Sequence, residues 1–526
     1  MRDSFFIARA GLAPRFALES VKFTNVRARL ASGRLRISRG MSLPLVLAID
    51  LGTSSTRTAF FDAEGRRLTH TTAQHTYPLI TSADGMAELE PGALLGAVKM
   101  CIAESLHLRR GDPALARLSI AGIGVSCFWH SMIGCNAKGE AVTRVITWAD
   151  SRCREDAADL RKKLDEEETH ARTGCMLRAS FWPAKMKWFR RAEERLHARV
   201  SQWMSPAEWL QLQLAGGANC AIGMATGTGL FNPTTLTWDP AMLKLVGLTE
   251  KQLRPLSDEP TIVTGPLAQE HPELKNVRWF PGIGDGAASN LGSGATKPGL
   301  AAINVGTSAA IRVMREGKEA RAPFGLFCYR VDARRTLVGG AVSNAGNLRA
   351  WCMRELRLTD GPEIETALAA RPEPTHGLVV LPFWTAERAP TWNEDATGAI
   401  HGIRQSTTAL DMLQAITEAT YHRIARISDL LCADEKSAPK IIVSGGIQKS
   451  ASALQRLANV LGQTLHPNDE PEASLRGAAV YALEKLGYPI PQSKLAHGVR
   501  PTARPTRLYA AEREKQQRME AALAVL

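Results

Sequence analysis

The chain predicts an α/β fold made of two structurally related halves, each opening a β-sheet with a hairpin. Three observations carry this expectation. The stretch Ala48-Ile49-Asp50-Leu51-Gly52-Thr53-Ser54 returns as Ala302-Ile303-Asn304-Val305-Gly306-Thr307-Ser308, five of seven positions identical at an offset of 254 residues. In both places an apolar β-rich run meets a turn of Gly and small hydroxyl residues, then a second β-rich run, the pattern of a hairpin. Self-similarity of this kind marks a duplicated architecture, and 526 residues are too many for one ordinary core.

Taken in order, the opening hairpin spans Leu45 to about Leu68 and closes at Asp62-Ala63-Glu64-Gly65. A helix is expected over Pro91 to Ala103, and a buried strand over Leu118 to Val125. A mixed-charge amphipathic helix is expected over Asp150 to Thr169. Further helices are expected at Pro183 to Arg195 and at Pro206 to Leu214, the latter stopped by Gly216-Gly217. Phe280 to Ala287 ends a strand in Gly-rich turns around one acid, Asp285, before a small-residue helix. The Gly-rich joint at 292–299 is the best domain boundary, dividing the chain into 41–294 and 295–526. In the second half, Leu378 to Trp384 and Lys440 to Ser444 read as strands. Leu410 to Leu431, Ser452 to Leu461 and Ala473 to Leu486 read as helices, and Glu512 to Leu526 as a charged terminal helix.

The formal charge of +13 is unevenly placed. Residues 1–40 hold nine Lys or Arg against Asp3 and Glu19, a net of +7, so the body is only mildly basic. This leader is expected to be a tail or upstream extension, with Met41 directly before the first strand as the start; an Arg-rich transit peptide is the alternative. No Arg face with interleaved aromatics points to nucleic acid. Nine cysteines without a Cys-x-x-Cys pair argue against a disulfide framework or structural zinc. No apolar run reaches the length of a membrane span. A cytoplasmic protein is the expectation, and a homodimer is compatible with it.

Gly-rich turns bearing hydroxyls and backbone N–H groups hold phosphate oxygens. Gly52, Thr53, Ser54, Ser55, Thr56 and Arg57 on one side, and Gly306, Thr307 and Ser308 on the other, are therefore assigned to phosphates. Asp50 is assigned to a hydrated Mg²⁺ and Asp285, at a strand end, to the group that positions and deprotonates the attacking oxygen, with a share in the metal site. Each has a plainer alternative. Asp285 can cap its helix, Gly445-Gly446 can be an ordinary strand-to-helix turn, His130 and Trp148 can be packing residues, and Glu387-Arg388 can be a local ion pair. Walker A and Gly-x-Gly-x-x-Gly patterns are absent from the sequence.

Asp50 to Arg57, Trp148-x-Asp150-x-Arg152, Gly284-Asp285-Gly286, Gly306-Thr307-Ser308, Glu387-Arg388-x-Pro390-x-Trp392, Gly398-x-x-x-Gly402 and Gly445-Gly446 together resemble the FGGY carbohydrate kinases, over essentially all of residues 41–490. The resemblance implies two actin-like (ribonuclease H-like) ATPase domains with the active site in the interdomain cleft. It also implies transfer of the ATP γ-phosphate to a sugar hydroxyl, with Asp285 as base, Asp50 as metal-associated carboxylate, and Gly445, Gly446 and Ser450 in the adenosine segment. Thr417, Asn459 and Trp182 depart from the family pattern, away from the catalytic groups. Within the family, His130-Ser131 followed by Ile146-Thr147-Trp148-Ala149-Asp150-Ser151-Arg152 and Arg172-Thr173-Gly174 is most similar to gluconate kinases, and Trp129, His130, Trp148, Asp150, Arg152 and Asp285 are the sugar-binding candidates. An aldonate needs a cation for its carboxylate, which His130, Arg152 or Lys185 could supply. A ketopentose such as xylulose and a polyol are the next substrate classes. From other functional classes, an actin- or chaperone-like ATPase acting on a protein partner and a catalytically silent sugar sensor remain alternatives.

Overall fold

The computed structural model describes residues 44–371, 373–433, 438–492 and 495–523; the basic leader over 1–40 lies outside them. The first sheet is built on β1 (Leu45–Leu51), whose seven residues are all buried. Such a continuous apolar strand can exist only with both faces covered. β1 pairs antiparallel with β2 (Ser55–Phe61), which pairs with β3 (Ala73–Thr76). On the other side β1 runs parallel to β4 (Ile120–Cys127), the long crossover being filled by α1 (Pro91–Gly111). Short strands β5 (Thr261–Ile262), β6 (Arg278–Trp279) and β7 (Ile283–Gly284) complete this sheet, β7 pairing with the end of β4. Helix α2 (Asp285–Ser293) follows directly.

The second sheet repeats the plan. β8 (Leu300–Val305) pairs antiparallel with β9 (Ala309–Glu316). β10 (Phe327–Arg330) and β11 (Arg335–Val342) extend the sheet beyond β9. After α3 (Ala409–Cys432), β12 (Lys440–Ser444) lies parallel to β8 and is followed by β13 (Leu465–Pro467). Asp50 faces Ser126 across the parallel pair in the first sheet, and Asn304 faces Ser444 in the second. The sequence repeat is therefore a structural one.

Two late helices depart from the expected layout. α4 (Ala473–Lys485) comes late in the chain, yet Leu475, Ala478 and Leu483 belong to the core of the first sheet. Its backbone touches that of α2: a Cβ on Gly477 would stand 1.8 Å from Ala288 O, and one on Gly292 1.8 Å from Ala473 O. α5 (Ala503–Leu523) begins nine residues before the expected Glu512 and packs on the second core through Tyr509. The single helix expected from Asp150 to Thr169 is two, Arg154–Lys163 and Glu166–Thr173, because the Asp165 side chain accepts from Glu168 N–H and caps a fresh start. Among the described residues no helix is long and apolar enough to cross a membrane, and eight of the nine cysteines are buried.

Candidate active site

Asp285 is the first residue of α2, but it does not cap the helix. Gly284 occupies the N-cap position without a side-chain bond, and Asp285 Oδ1 accepts from the adjacent Gly286 N–H at 2.8 Å. Burial raises its pKa, opposed by the guanidinium charge of Arg312. The flanking glycines are required by Trp129, whose indole presses on this backbone. A Cβ at Gly284 would lie 1.7 Å from Trp129 Cε2, and one at Gly286 2.8 Å from Cζ3. The indole is fixed in turn by Nε1, which donates to Gly223 O at 2.8 Å.

Around Asp285 is a cavity of about 210 Å³. Thr53, Trp129, His130, Trp148 and Ser308 line it, together with Tyr329, Arg312, Arg388 and Trp392 from the second half. A larger cavity of about 920 Å³ is lined by Gly306, Thr307, Gly446 and Ser450, with Asn347 and Tyr421. The second hairpin turn thus borders both spaces, Gly306 and Thr307 on the large one and Ser308 on the small one. A triphosphate running along this turn would reach from one cavity to the other.

The first hairpin turn is shorter than expected, because Asp50, Leu51, Ser55, Thr56 and Arg57 are strand residues. Thr56 is wholly buried with its hydroxyl donating to Asp50 O at 3.2 Å, and Ser55 Oγ accepts from Gln74 Nε2 at 3.3 Å. The turn between the strands is Gly52, Thr53 and Ser54, and Ser55 Oγ, which accepts from Gln74, keeps its own proton to donate. Gly52 N–H donates to Ser55 O at 2.9 Å, its carbonyl accepts from Tyr77 Oη, and Ser54 is exposed at the tip. Arg57 stands 4.0 Å from Asp50 and 3.7 Å from Glu472. The Asp50 carboxyl is raised to about 6, first by burial and further by the charge of Asp285, with Ser126 and Arg57 pulling the other way.

Three expected cations are otherwise engaged. Arg152 forms a buried ion pair with Asp150, 2.6 Å away, and with Glu88, and stacks over Trp188 at 4.3 Å. Asp150 also accepts from Ala87 N–H at 3.0 Å. Neither Asp150 nor Arg152 lines the small cavity; they brace the loop that carries Trp148. Lys185 is buried and donates to the carbonyls of Ala179 and Ser180, and burial lowers its pKa to about 8. Burial lowers His130 to about 3, so its ring is neutral, with Nδ1–H donating to Gly227 O.

The arginines that line the small cavity are Arg312 and Arg388. Glu387 does not pair with Arg388; it binds Arg423 Nε at 2.6 Å, which leaves Arg388 over the Trp148 ring, 5.7 Å from its centroid. The sequence signal for Arg312 is an Arg in the otherwise apolar strand start Ala309 to Val313, on the face shared by Ser308 and Ala310. In the larger space, Gly445 (φ +91°) sits with a would-be Cβ 2.4 Å from Val305 O, so close approach requires the glycine, and Gly446 alone of the pair lines the cavity. Ser450 caps the helix Ala451–Leu461, accepting from Ala453 N–H at 3.1 Å.

Two duplicated hairpin turns and an Asp facing the cavity they border define a two-domain, actin-like phosphotransferase. The chain belongs to the FGGY family of carbohydrate kinases: the family's N-terminal domain model matches residues 45–292 and its C-terminal domain model residues 301–484. A gluconokinase of Bacillus subtilis is 27% identical over 463 residues, spanning 84% of this chain and 88% of that one. A xylulose kinase of Streptomyces rubiginosus is 28% identical over 449 residues, spanning 84% and 87%. Among solved structures, a gluconate kinase from Lactobacillus acidophilus superposes with a TM-score of 0.84 at 25% identity, covering 92% of this chain and 99% of its own. Membership of a kinase family sets aside the protein-partner ATPase and the silent sensor, and makes ATP the co-substrate.

Proposed function

We propose that this chain phosphorylates gluconate or a closely related aldonate, with ATP as donor and Asp285 as general base. The carrying observation is the setting of Asp285: a carboxyl of raised pKa at the first turn of α2, open to a small aromatic and hydroxyl-lined cavity bounded by both hairpin turns. As a substrate hydroxyl oxygen attacks the γ-phosphorus, its proton passes to an Asp285 oxygen and ADP leaves with the bridging oxygen. Burial brings the pKa of this acceptor toward working pH, where a base is most effective. The N–H groups of the two turns would hold the phosphates in line. Asp50 and Asp285 suit Mg²⁺, being hard oxygen donors whose mutual repulsion a shared cation relieves. When bound, such an ion neutralises phosphate charge.

The relatives named gluconokinase and gluconate kinase favour an aldonate. A xylulose kinase of similar identity makes a ketopentose the second reading. With ATP and Mg²⁺, purified protein is expected to release ADP faster with gluconate than with xylulose or glycerol. Asp285→Asn is expected to keep ATP binding and lose roughly 10²-fold or more in kcat. Release with xylulose alone would transfer the assignment to a ketopentose; equal rates for variant and parent would remove Asp285 from the base role.

A further inference from the structure

We propose that Arg388 is the specificity-determining residue of the small cavity, taking the carboxylate of an anionic sugar, while Arg312 holds the charge beside Asp285. The inference rests on the sugar-acid reading above and deepens it. Two guanidinium groups line this cavity against one carboxylate, Asp285, and the only other basic side chain in the lining, His130, is neutral. Both arginines have a buried Nε–H with no acceptor among the described residues. A buried donor left unmade costs more than a made bond returns, so such groups mark the place of a missing acceptor. Arg388 is otherwise held only through Nη2 to Val342 O at 3.1 Å and by the Trp148 face. That arrangement leaves a guanidinium edge for an oxyanion.

The two arginines are not equivalent. The Arg312 guanidinium is seated on Gly286, where a Cβ would lie 2.9 Å from its Nε, so it adjoins the base. Asp285 feels Arg312 more strongly than Arg388. Arg388 lies over the Trp148 ring and, with His130 and Phe181, lines the same cavity. An aldonate carries its carboxylate at one end of the carbon chain and its primary hydroxyl at the other. With that hydroxyl at Asp285, the carboxylate lies toward Arg388. The charge arithmetic agrees: two positive charges depress each other, and Arg388 is pushed down to about 10 by burial and then by Arg312, a strain that a bound anion removes.

The oxyanion could instead be the γ-phosphate, and the experiment separates the two. Steady-state kinetics would compare D-gluconate with D-glucitol, the same carbon chain bearing a neutral CH₂OH in place of the carboxylate. In the parent, kcat/KM is expected to favour gluconate by about 10²-fold or more, the penalty for leaving buried donors unpaired. Arg388→Gln should raise KM for gluconate by about 10²-fold, leave glucitol and the ATP KM within about threefold, and so erase the preference; Arg388→Lys should restore part of it. Gluconate binding to the parent, read from the fluorescence of the cavity tryptophans, should weaken with added salt while glucitol binding does not, a readout independent of any variant's folding. A rise in the ATP KM with gluconate KM unchanged would assign Arg388 to the γ-phosphate and overturn the proposal, as would equal losses for both sugars. Parent protein that turns over neutral sugars and no sugar acid would defeat the substrate reading and this inference together. A parent that uses gluconate, with Arg388→Gln keeping its KM, would defeat this inference alone.

Discussion

Asp50 shows what a single buried carboxyl does to a fold and to a site at once. In the folded chain it titrates at about 6 against an ordinary 3.8, so between these values the native state keeps a proton that the unfolded chain has released. Its contribution therefore favours folding below pH 3.8 and is lost as pH rises through 6, where the fold must carry a buried charge. A shift of this size is on the order of 3 kcal/mol. The chain contains its own control: the equivalent Asn304 sits in the second sheet with Nδ2 donating to Ser444 Oγ at 3.1 Å. Asp50→Asn should accordingly be accepted, with the new amide bonding Ser126 in the same way. The unliganded variant is expected to melt higher than the parent at pH 8, with the gap closing toward pH 4. It should also lose Mg²⁺-dependent turnover and the extra stabilisation that Mg²⁺ with ADP gives the parent at pH 8. Identical melting temperatures across that range would show that Asp50 carries no buried charge.

At the level of elements, Asp285, the proposed base, is aimed by helix packing. α2 begins at Asp285 and runs against α4 with backbones in contact through Gly477 and Gly292. The small-residue character of both helices is plain in Ala287-Ala288 and Gly477-Ala478-Ala479. That they face one another across nearly two hundred residues is not, because helical periodicity names an apolar face and never its partner. Gly477→Ala inserts a methyl 1.8 Å from Ala288 O, where neither helix can yield without moving. The expected result is a loss of about 1–3 kcal/mol in urea unfolding together with a fall in kcat larger than any rise in the ATP KM, since the displaced element carries Asp285 and not the Gly446 and Ser450 wall. An unchanged urea midpoint would mean that the helices separate freely. The same limit of local signals explains the broken helix at Asp165, a cap overriding a continuous amphipathic pattern, and the early start of α5 at Ala503.

Over the whole molecule, the duplicated plan was legible because two copies of one hairpin stand in a single sequence, and the place of Asp285 after a strand end because Gly-rich turns surround it. The cavity's arginines were not, since Arg312 sits alone on a strand and Arg388 follows a glutamate that looks like its partner. The true partner of Glu387 is Arg423, which is buried between Glu387 and Glu520 at 2.6 Å from each. Glu520 lies on α5, beyond residue 484 where the family's C-terminal domain model ends. The terminal helix therefore anchors the segment that presents Arg388. Removing one member of such a buried network leaves the others imperfectly compensated, which costs most where solvent is excluded. Glu520→Gln keeps the shape and removes the charge. It should lower stability by about 1–3 kcal/mol and raise KM for the sugar substrate several-fold while the ATP KM stays constant, because the larger-cavity wall at Gly446 and Ser450, the proposed nucleotide side, does not touch this network. Urea unfolding and two-substrate kinetics on the same preparation read both effects. A stability loss without the KM split would make α5 a clamp on the second core only; the split would make the last helix part of the sugar site.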